Sequence, residues 1–292
     1  MKKLKRLKKV AVKFRFYLIL ASVTSFIIVL LRLFVFASFK VPSISMEPTI
    51  IPGDYVFVNK QIPGPRIITN FTSVQRSKNL ECKRLKGYRN IHHNDILVFN
   101  YPYVDGGHIT LNTSMNIIKR CVAIPGDTFY IEKGIYKVRG LMDTLGYYKG
   151  QIDYYKYTIQ KEKILHSEMF SFSKQCNWTT TDFGPLYVPK RGDTLMVDGK
   201  SILPYLNLVL YETGGELHVL NDTVWLNREF LQVYVFQKNY YFMAGDSPHN
   251  SYDSRYWGVL PEDHIIGKAE FIWKSKDTET RHYRWNRMCK ML

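Results

Sequence analysis

Two polar residues have the types and surroundings that nucleophilic catalysis requires. Ser45 lies between two prolines in the segment PSISMEPT at 42–49, and proline restricts its own backbone and that of the preceding residue. A serine hydroxyl is a poor nucleophile until a base removes its proton. This segment contains no histidine, and the candidate base is Lys119 in the run IIKRCVAIPGD at 117–127.

Lys119 could act as a base only if its amine were neutral. Burial among apolar groups disfavours the charged form, and Ile117, Ile118 and the run CVAI at 121–124 would provide such surroundings. Lowering a lysine pKa from 10.4 to 8 costs roughly 3 kcal/mol. Because strand side chains alternate, Arg120 should point to the opposite face. We therefore expect a Ser/Lys pair, and the alternative is a lysine at a strand edge.

Composition limits the other kinds of chemistry. The four cysteines and eight histidines form no recognisable metal-binding spacing, so we expect no metal and no cofactor. Whether Cys82 and Cys176 pair in a disulfide stays open. The formal net charge is +16, but eight lysines and arginines lie within residues 1–15. Without a nucleic-acid-binding motif, this charge does not predict a nucleic-acid partner.

The amino-terminal sequence predicts a membrane anchor at 14–32. Residues 16–31 carry no charge, and 18 residues extend roughly 27 Å as a helix, near the lower limit for a bilayer core of about 30 Å. The basic segment at 1–13 predicts a cytoplasmic amino terminus, with the rest of the chain on the other side. No later segment is apolar for long enough, so one crossing is expected.

A cleaved secretory signal is the alternative interpretation of the same segment. The residues VFA at 35–37 loosely satisfy the small-residue rule for such a cut. The apolar run is longer than the usual apolar region of a signal sequence, and Arg32 interrupts the approach to the cut. These two features favour a retained anchor.

The remaining chain has the pattern of a mainly β protein without repeats or βαβ alternation. Strands are predicted at 55–59, 95–101, 116–124, 240–244 and 265–275. Short β-like runs between turn signals predict a smaller β subdomain inserted at 128–238. We expect an antiparallel catalytic β core formed by 33–127 and 239–275, followed by a peripheral basic tail at 276–292.

In their order, these segments resemble the bacterial type I signal peptidases, the family of Ser/Lys leader peptidases. The matching blocks cover about a quarter of the chain. They are the anchor ending at Leu31-Arg32, FKVPSISMEPTI at 39–50, GDYVFV at 53–58, KRCVAIPGD at 119–127 and GDSPHNSYDSRYWGVLP at 245–261.

The resemblance implies roles for individual residues. Ser45 matches the family's nucleophile, Lys119 matches its general base, and the Ser45 N–H and the Ser43 hydroxyl match its oxyanion hole. Ser251 matches a serine that orients the lysine amine. Asp253 and Arg255 match a supporting ion pair, which we place on an extended segment. The implied walls of the shallow pockets for small substrate side chains at −1 and −3 are Val41, Pro42, Ile50 and Ile118.

Two departures from the family pattern lie close to these residues. The family usually has Gly-Asp-Asn-Arg where this chain has Gly245-Asp246-Ser247-Pro248, so two polar side chains are missing shortly before Ser251. Ile44 stands where many members have glycine, next to Ser45. The first departure bears on how the lysine is oriented.

The resemblance implies a membrane-anchored serine endopeptidase that cleaves signal peptides from exported preproteins after small residues. Its partners would be signal peptides, the phospholipid membrane and the protein-export translocase. It would lie in the bacterial inner membrane with its catalytic domain on the periplasmic side. One alternative, a self-cleaving repressor-type protease, would lack the anchor and carry a DNA-binding domain. The other is a degenerate non-catalytic or dedicated-substrate member serving as a subunit of the export machinery.

Overall fold

The structure, a computed structural model, describes residues 2–69, 82–103, 107–111, 113–160 and 176–292. Residues 70–81, 104–106, 112 and 161–175 of the predicted core and insert lie outside the described residues. The described helices are α1 (Lys2–Phe34), α2 (Tyr148–Gln160), α3 (Leu206–Thr213) and α4 (Ser254–Trp257).

The strands outnumber the helices, so the prediction of a mainly β fold is confirmed. The strands before the insert are β1 (Phe36–Lys40), β2 (Asp54–Asn59), β3 (Arg66–Ile68), β4 (Cys82–Arg84), β5 (Ile96–Asn100) and β6 (Asn116–Ala123). Those within it are β7 (Thr128–Glu132), β8 (Ile135–Val138), β9 (Phe183–Tyr187), β10 (Thr194–Met196), β11 (Leu217–Leu220), β12 (Thr223–Leu226), β13 (Glu229–Phe230) and β14 (Val233–Val235). Those after it are β15 (Tyr240–Ala244), β16 (Leu260–Pro261), β17 (Ile265–Ser275) and β18 (Lys290–Met291).

Helix α1 contains a predominantly apolar stretch, Val12–Phe34, that is long and apolar enough to cross a membrane. Its large apolar side chains are exposed, so the described protein offers them no packing partner. The helix passes almost directly into β1, and the Lys60 amine holds this junction by donating to the Arg32 carbonyl at 2.6 Å. The junction fixes the end of the helix against the sheet.

The main sheet is antiparallel and joins strands from both sides of the insert. Its order is β1-β2-β17-β5-β6-β15-β16, and β18 pairs with β17. All five strands predicted from the sequence are present, with ends shifted by a residue at most. Strand β1 was not predicted because its sequence, FASFK, continues the apolar pattern of the preceding helix.

Two of the strand edges in this sheet that have no partner among the described residues belong to β6 and β1. Strand β15 pairs with β6 only as far as Arg120, which lies opposite Ala244. The preceding part of that β6 edge, Asn116–Lys119, is therefore open, and β5 covers only its other side. Strand β1 is the terminal strand, so its outer edge is also open.

The insert is less purely β than the sequence predicted, because it contains α2 and α3. Helix α2 was missed because its tyrosine-rich sequence favours a strand by propensity. It is helical because Gln151, Tyr154 and Thr158 then share one buried face. The insert packs on the main sheet through Phe129, whose ring stacks on Phe242 with centroids 4.1 Å apart. Both rings lie in one continuous apolar core.

The C-terminal tail has no buried residue, in line with the expected peripheral position, but it is tied to the core. Arg287 forms an ion pair with the fully buried Asp54, with an N–O distance of 2.6 Å. Asp54 also accepts hydrogen bonds from the Ser275 hydroxyl and the Ile51 N–H. A buried carboxylate needs such partners, and the tail supplies the cation.

We predict that Asp54→Ala lowers the free energy of unfolding by about 3–5 kcal/mol, because it leaves the largely buried Arg287 without its counter-charge. The measurement is denaturant unfolding of the full chain in detergent. The matched control is Glu132→Ala, which breaks an exposed ion pair with Lys137 and should leave stability unchanged. Equal effects of the two variants would show that Arg287 does not hold the tail through Asp54.

Candidate active site

Ser45 is held in a tight turn directly after an extended segment; the flanking prolines had predicted only a stiff, non-helical stretch. The Glu47 N–H donates to the Ile44 carbonyl at 3.0 Å, and the Ile50 N–H donates to the Met46 carbonyl at 2.9 Å. Val41 anchors the approach through its backbone pairing with Asp54. The Ser45 side chain is thereby placed at the base of a cleft, only 6% exposed.

Lys119 reaches the same point from β6, where it lies opposite Leu97 of β5. Its amine donates to the Ser45 hydroxyl at 2.5 Å, although 74 residues separate the two in sequence. The side chain is 4% exposed. The structure therefore brings together the two residues singled out in the sequence, in the environment expected for a neutral amine.

The electrostatic surroundings of Lys119 favour its neutral form. Burial lowers the pKa of its amine to about 8; the Asp253 carboxylate opposes this shift, and the Arg255 guanidinium adds to it. Near pH 8 about half of the amine groups are thus neutral and able to accept a proton.

Two hydrogen-bond donors border Ser45 on the open side of the cleft. The Ser43 hydroxyl is exposed and lies 3.4 Å from the Ser45 hydroxyl. The Ser45 N–H donates to no described residue. The resemblance implied that these two groups form an oxyanion hole, and that role stays a prediction.

The supporting residues form a buried hydrogen-bonded network, but with different contacts from those expected. Ser251 makes no hydrogen bond to Lys119 among the described residues; its hydroxyl donates to Asp253 at 2.7 Å. Asp253 and Arg255 form a fully buried ion pair at 2.8 Å. They are not on an extended segment: Asp253 caps the N-terminus of α4 by accepting from the Arg255 N–H. Burial raises the pKa of the Asp253 carboxyl, but Arg255 and the hydrogen bonds outweigh it and lower the pKa.

The block that departs from the family pattern is connected to the site through its backbone. The Ser247 N–H donates to the Ser45 carbonyl at 3.1 Å, and the Pro248 carbonyl accepts from Arg255 at 2.9 Å. Asp246 forms a bidentate ion pair with Arg120, on the far face of β6. The side chains at 247 and 248 are therefore not needed for these contacts.

Gly245 is required where this block passes between Ser45 and Ser251. A Cβ atom there would lie 2.2 Å from the Ser251 hydroxyl oxygen and 2.5 Å from the Ser45 carbonyl oxygen. The Gly245 N–H donates to Asp253 at 3.0 Å, so the close approach of the backbone also gives the carboxylate a hydrogen-bond donor.

The cleft above Ser45 has a volume of about 730 Å³ and runs between the open edges of β1 and β6. Of the expected wall residues, Val41, Pro42 and Ile118 line it. Ile50 does not; it is completely buried, behind this surface and in the same apolar cluster as Val41. Wall residues that sequence reasoning missed are Phe39, Lys40, Val56, Val98, Tyr101, Met115, Asn116, Ile117, Asn250 and Tyr252.

Most of the missed wall residues are chain neighbours of ones that were identified. Met115, Asn116 and Ile117 precede Lys119 on its own strand, and Tyr252 follows Ser251. Their position in the sequence, next to residues already identified, could have pointed to these four. Val98 and Tyr101 come from the neighbouring β5 and the residue after it, and only the strand pairing places them here.

Two further groups of residues bear on the chemistry of the site, the cysteines and the candidate metal ligands. All four cysteines carry free thiols, which answers the open question about Cys82 and Cys176. Within the described ranges, no cluster of three or more histidine, cysteine or acidic side chains could hold a metal ion.

Comparison with known proteins agrees with the geometry of the site. A family model described as signal peptidase, peptidase S26, matches residues 14–176 and 187–274. The chain is 28% identical over 258 residues to signal peptidase I of Buchnera aphidicola subsp. Schizaphis graminum, covering 86% of this chain and 72% of that one. It is 27% identical over 259 residues to signal peptidase I of Aquifex aeolicus, covering 85% and 79%. For signal peptidase I of Pseudomonas aeruginosa, the identity is 26% over 261 residues, covering 86% and 69%. With the family match extending over most of its length, this chain belongs to the signal peptidase family, peptidase S26.

Proposed function

We propose that this protein is a membrane-anchored serine endopeptidase that cleaves signal peptides from exported preproteins after small residues. The observation that carries the proposal is the 2.5 Å contact between the Lys119 amine and the Ser45 hydroxyl, both buried at the base of a cleft. The relatives named signal peptidase I support the choice of substrate.

The proposed reaction uses Ser45 as nucleophile and Lys119 as general base. The neutral Lys119 amine takes the hydroxyl proton as the Ser45 oxygen attacks the scissile carbonyl. The Ser45 N–H and the Ser43 hydroxyl donate to the developing oxyanion. Lys119 then gives its proton to the leaving amine, which departs as the mature chain. Lys119 next takes a proton from a water molecule as this water attacks the ester carbonyl, and it returns that proton to the Ser45 oxygen as the ester bond breaks and the signal peptide leaves.

The open strand edges suggest how the peptide is held. An extended peptide can pair with a free strand edge through backbone hydrogen bonds, and Asn116–Lys119 provides such an edge leading to the base. Side chains at −1 and −3 would then share one face of the peptide, against Val41 and Ile118. These walls are close to Ser45, which favours small side chains.

The supporting residues are proposed to position the base indirectly. Asp253 holds Ser251 and Gly245 by hydrogen bonds, while Arg255 neutralises its charge. Without this neutralisation, the carboxylate would raise the pKa of Lys119 further and keep it protonated. These contacts around Asp253 do not support the alternative that the protein is a degenerate, non-catalytic member of the family.

We also propose a location for the protein. Helix α1 would cross the bacterial inner membrane once, with the basic segment 1–13 in the cytoplasm and the catalytic domain on the periplasmic side. Its exposed apolar surface supports lipid as its surroundings. The anchor would keep the cleft at the surface where preproteins leave the translocase.

We predict that Ser45→Ala and Lys119→Met each reduce cleavage of a presequence substrate to background, because each removes one partner of the proton transfer. Ser43→Ala should lower kcat by about 10²–10³-fold, because it removes only one oxyanion donor. The measurement is cleavage by full-length protein in detergent, with the cut position read by mass spectrometry.

The matched controls are Ser38→Ala and Lys274→Met, which change the same residue types elsewhere on the sheet. Ser38 accepts a hydrogen bond from Trp273, and Lys274 lies over the Tyr55 ring. Both should cleave at the wild-type rate. Full activity of Lys119→Met would overturn the assignment of the base.

We predict that kcat/KM rises with pH and reaches half of its maximum near pH 8. Below the pKa of about 8, Lys119 is protonated and cannot accept the Ser45 proton; above it, the base is free. The test is a pH profile from 6 to 10 with a peptide that has no group titrating in this range. A profile that is flat, or that falls as pH rises through 8, would contradict the proposal.

We predict that the exposed Cys289 reacts with a membrane-impermeant maleimide in intact spheroplasts, because the catalytic domain lies outside the cytoplasm. The chain used should carry Cys289 as its single cysteine. The matched control is a Lys9→Cys variant without Cys289, which should react only after lysis. The reverse pattern of labelling would overturn the proposed orientation.

A further inference from the structure

A second cavity lies next to the proposed peptide cleft. It has a volume of about 420 Å³, and Tyr101 and Tyr252 line both spaces. The two rings have centroids 6.4 Å apart. On its far side the cavity is bounded by Trp257 and by the insert helix α3, including Asn207. The insert thus contributes to a space that opens beside the site.

The two cavities extend to opposite faces of the main sheet. Ile118 and Val98 pack with Val41 in the apolar cluster on one face. Ile117 packs with Trp257 in the cluster on the other face. The strand alternation of β6 separates the two clusters, so the second cavity lies on the Ile117 face.

A peptide strand at the open edge of β6 would distribute its side chains in the same way. If −1 and −3 face Val41 and Ile118, the −2 side chain points to the opposite face, where Tyr252 and Ile117 lie. We propose that the cavity behind Tyr101 and Tyr252 is a binding subsite for a bulky aromatic or aliphatic side chain at the −2 position. This inference rests on the proposed function of the cleft.

The walls of the cavity are largely aromatic and include the polar groups of several tyrosines, which suits an aromatic side chain. Tyr101 and Trp257 meet edge to face with centroids 6.4 Å apart, a surface on which a further ring can pack. Tyr252 is 53% exposed, so its ring can turn without disturbing the core. Asn207 is hydrogen-bonded to the Tyr103 hydroxyl at the wall. Among the described residues that line the cavity, none carries a charge.

The test compares two presequence peptides that are identical except for Ala or Phe at −2, with full-length protein in detergent. Wild type should cleave the Phe peptide with a kcat/KM about tenfold higher. Asn207→Trp fills the cavity and should bring the ratio of the two values close to 1. The control Lys200→Trp places the same ring on an exposed turn before α3 and should keep the wild-type ratio. Leu206→Trp fills the cavity from a neighbouring position, should Asn207→Trp fail to fold.

A binding measurement separates the subsite from the function on which it rests. The full-length Ser45→Ala variant should bind the Phe peptide about tenfold more tightly than the Ala peptide. Equal binding would overturn the subsite, and so would an unchanged preference in both cavity-filling variants. Tighter binding of the Phe peptide without cleavage by wild type would overturn the proposed function and leave the subsite standing.

Discussion

The site depends on keeping a lysine amine both buried and neutral beside a serine hydroxyl. Burial alone lowers the pKa of Lys119, but the network nearby contains the Asp253 carboxylate, which acts in the opposite direction. The fully buried guanidinium of Arg255 compensates for this charge. Breaking a buried ion pair leaves an uncompensated charge, which is far more costly than losing an exposed one. The pair therefore sets the electrostatic background in which Lys119 can serve as a base.

The same carboxylate also determines the local shape. It gathers the Ser251 hydroxyl and the Gly245 N–H around itself and caps α4. Gly245 passes so close to Ser45 and Ser251 that no side chain fits there. The block that lacks the family's usual Asn and Arg is held by these backbone contacts, which explains how it can differ in sequence and keep its place.

The cleft arises from a divergence of strands. Strand β15 leaves β6 after Arg120, which opens the edge that leads to Lys119. The insert then packs against the sheet through Phe129 and Phe242 and reaches the neighbouring cavity with α3. One sheet thus provides Lys119, the open edge beside it and wall residues on both faces. The insert predicted at 128–238 shares one apolar core with the sheet, so its boundaries stay a prediction.

The sequence by itself determined features whose physical cause is local. Apolar length predicted α1, alternation predicted the main strands, and the flanking prolines predicted a stiff, non-helical stretch at Ser45. Motif order pointed to Ser45 and Lys119 but could not give their distance, because 74 residues intervene. Only the tertiary structure decided that Ser251 binds Asp253 and that Ile50 lies behind the cleft. It alone also decided that Arg287 returns from the tail to neutralise Asp54. All three follow from burial: Ile50 packs in an apolar cluster, and a buried carboxylate must be paired by whichever residue the fold brings to it.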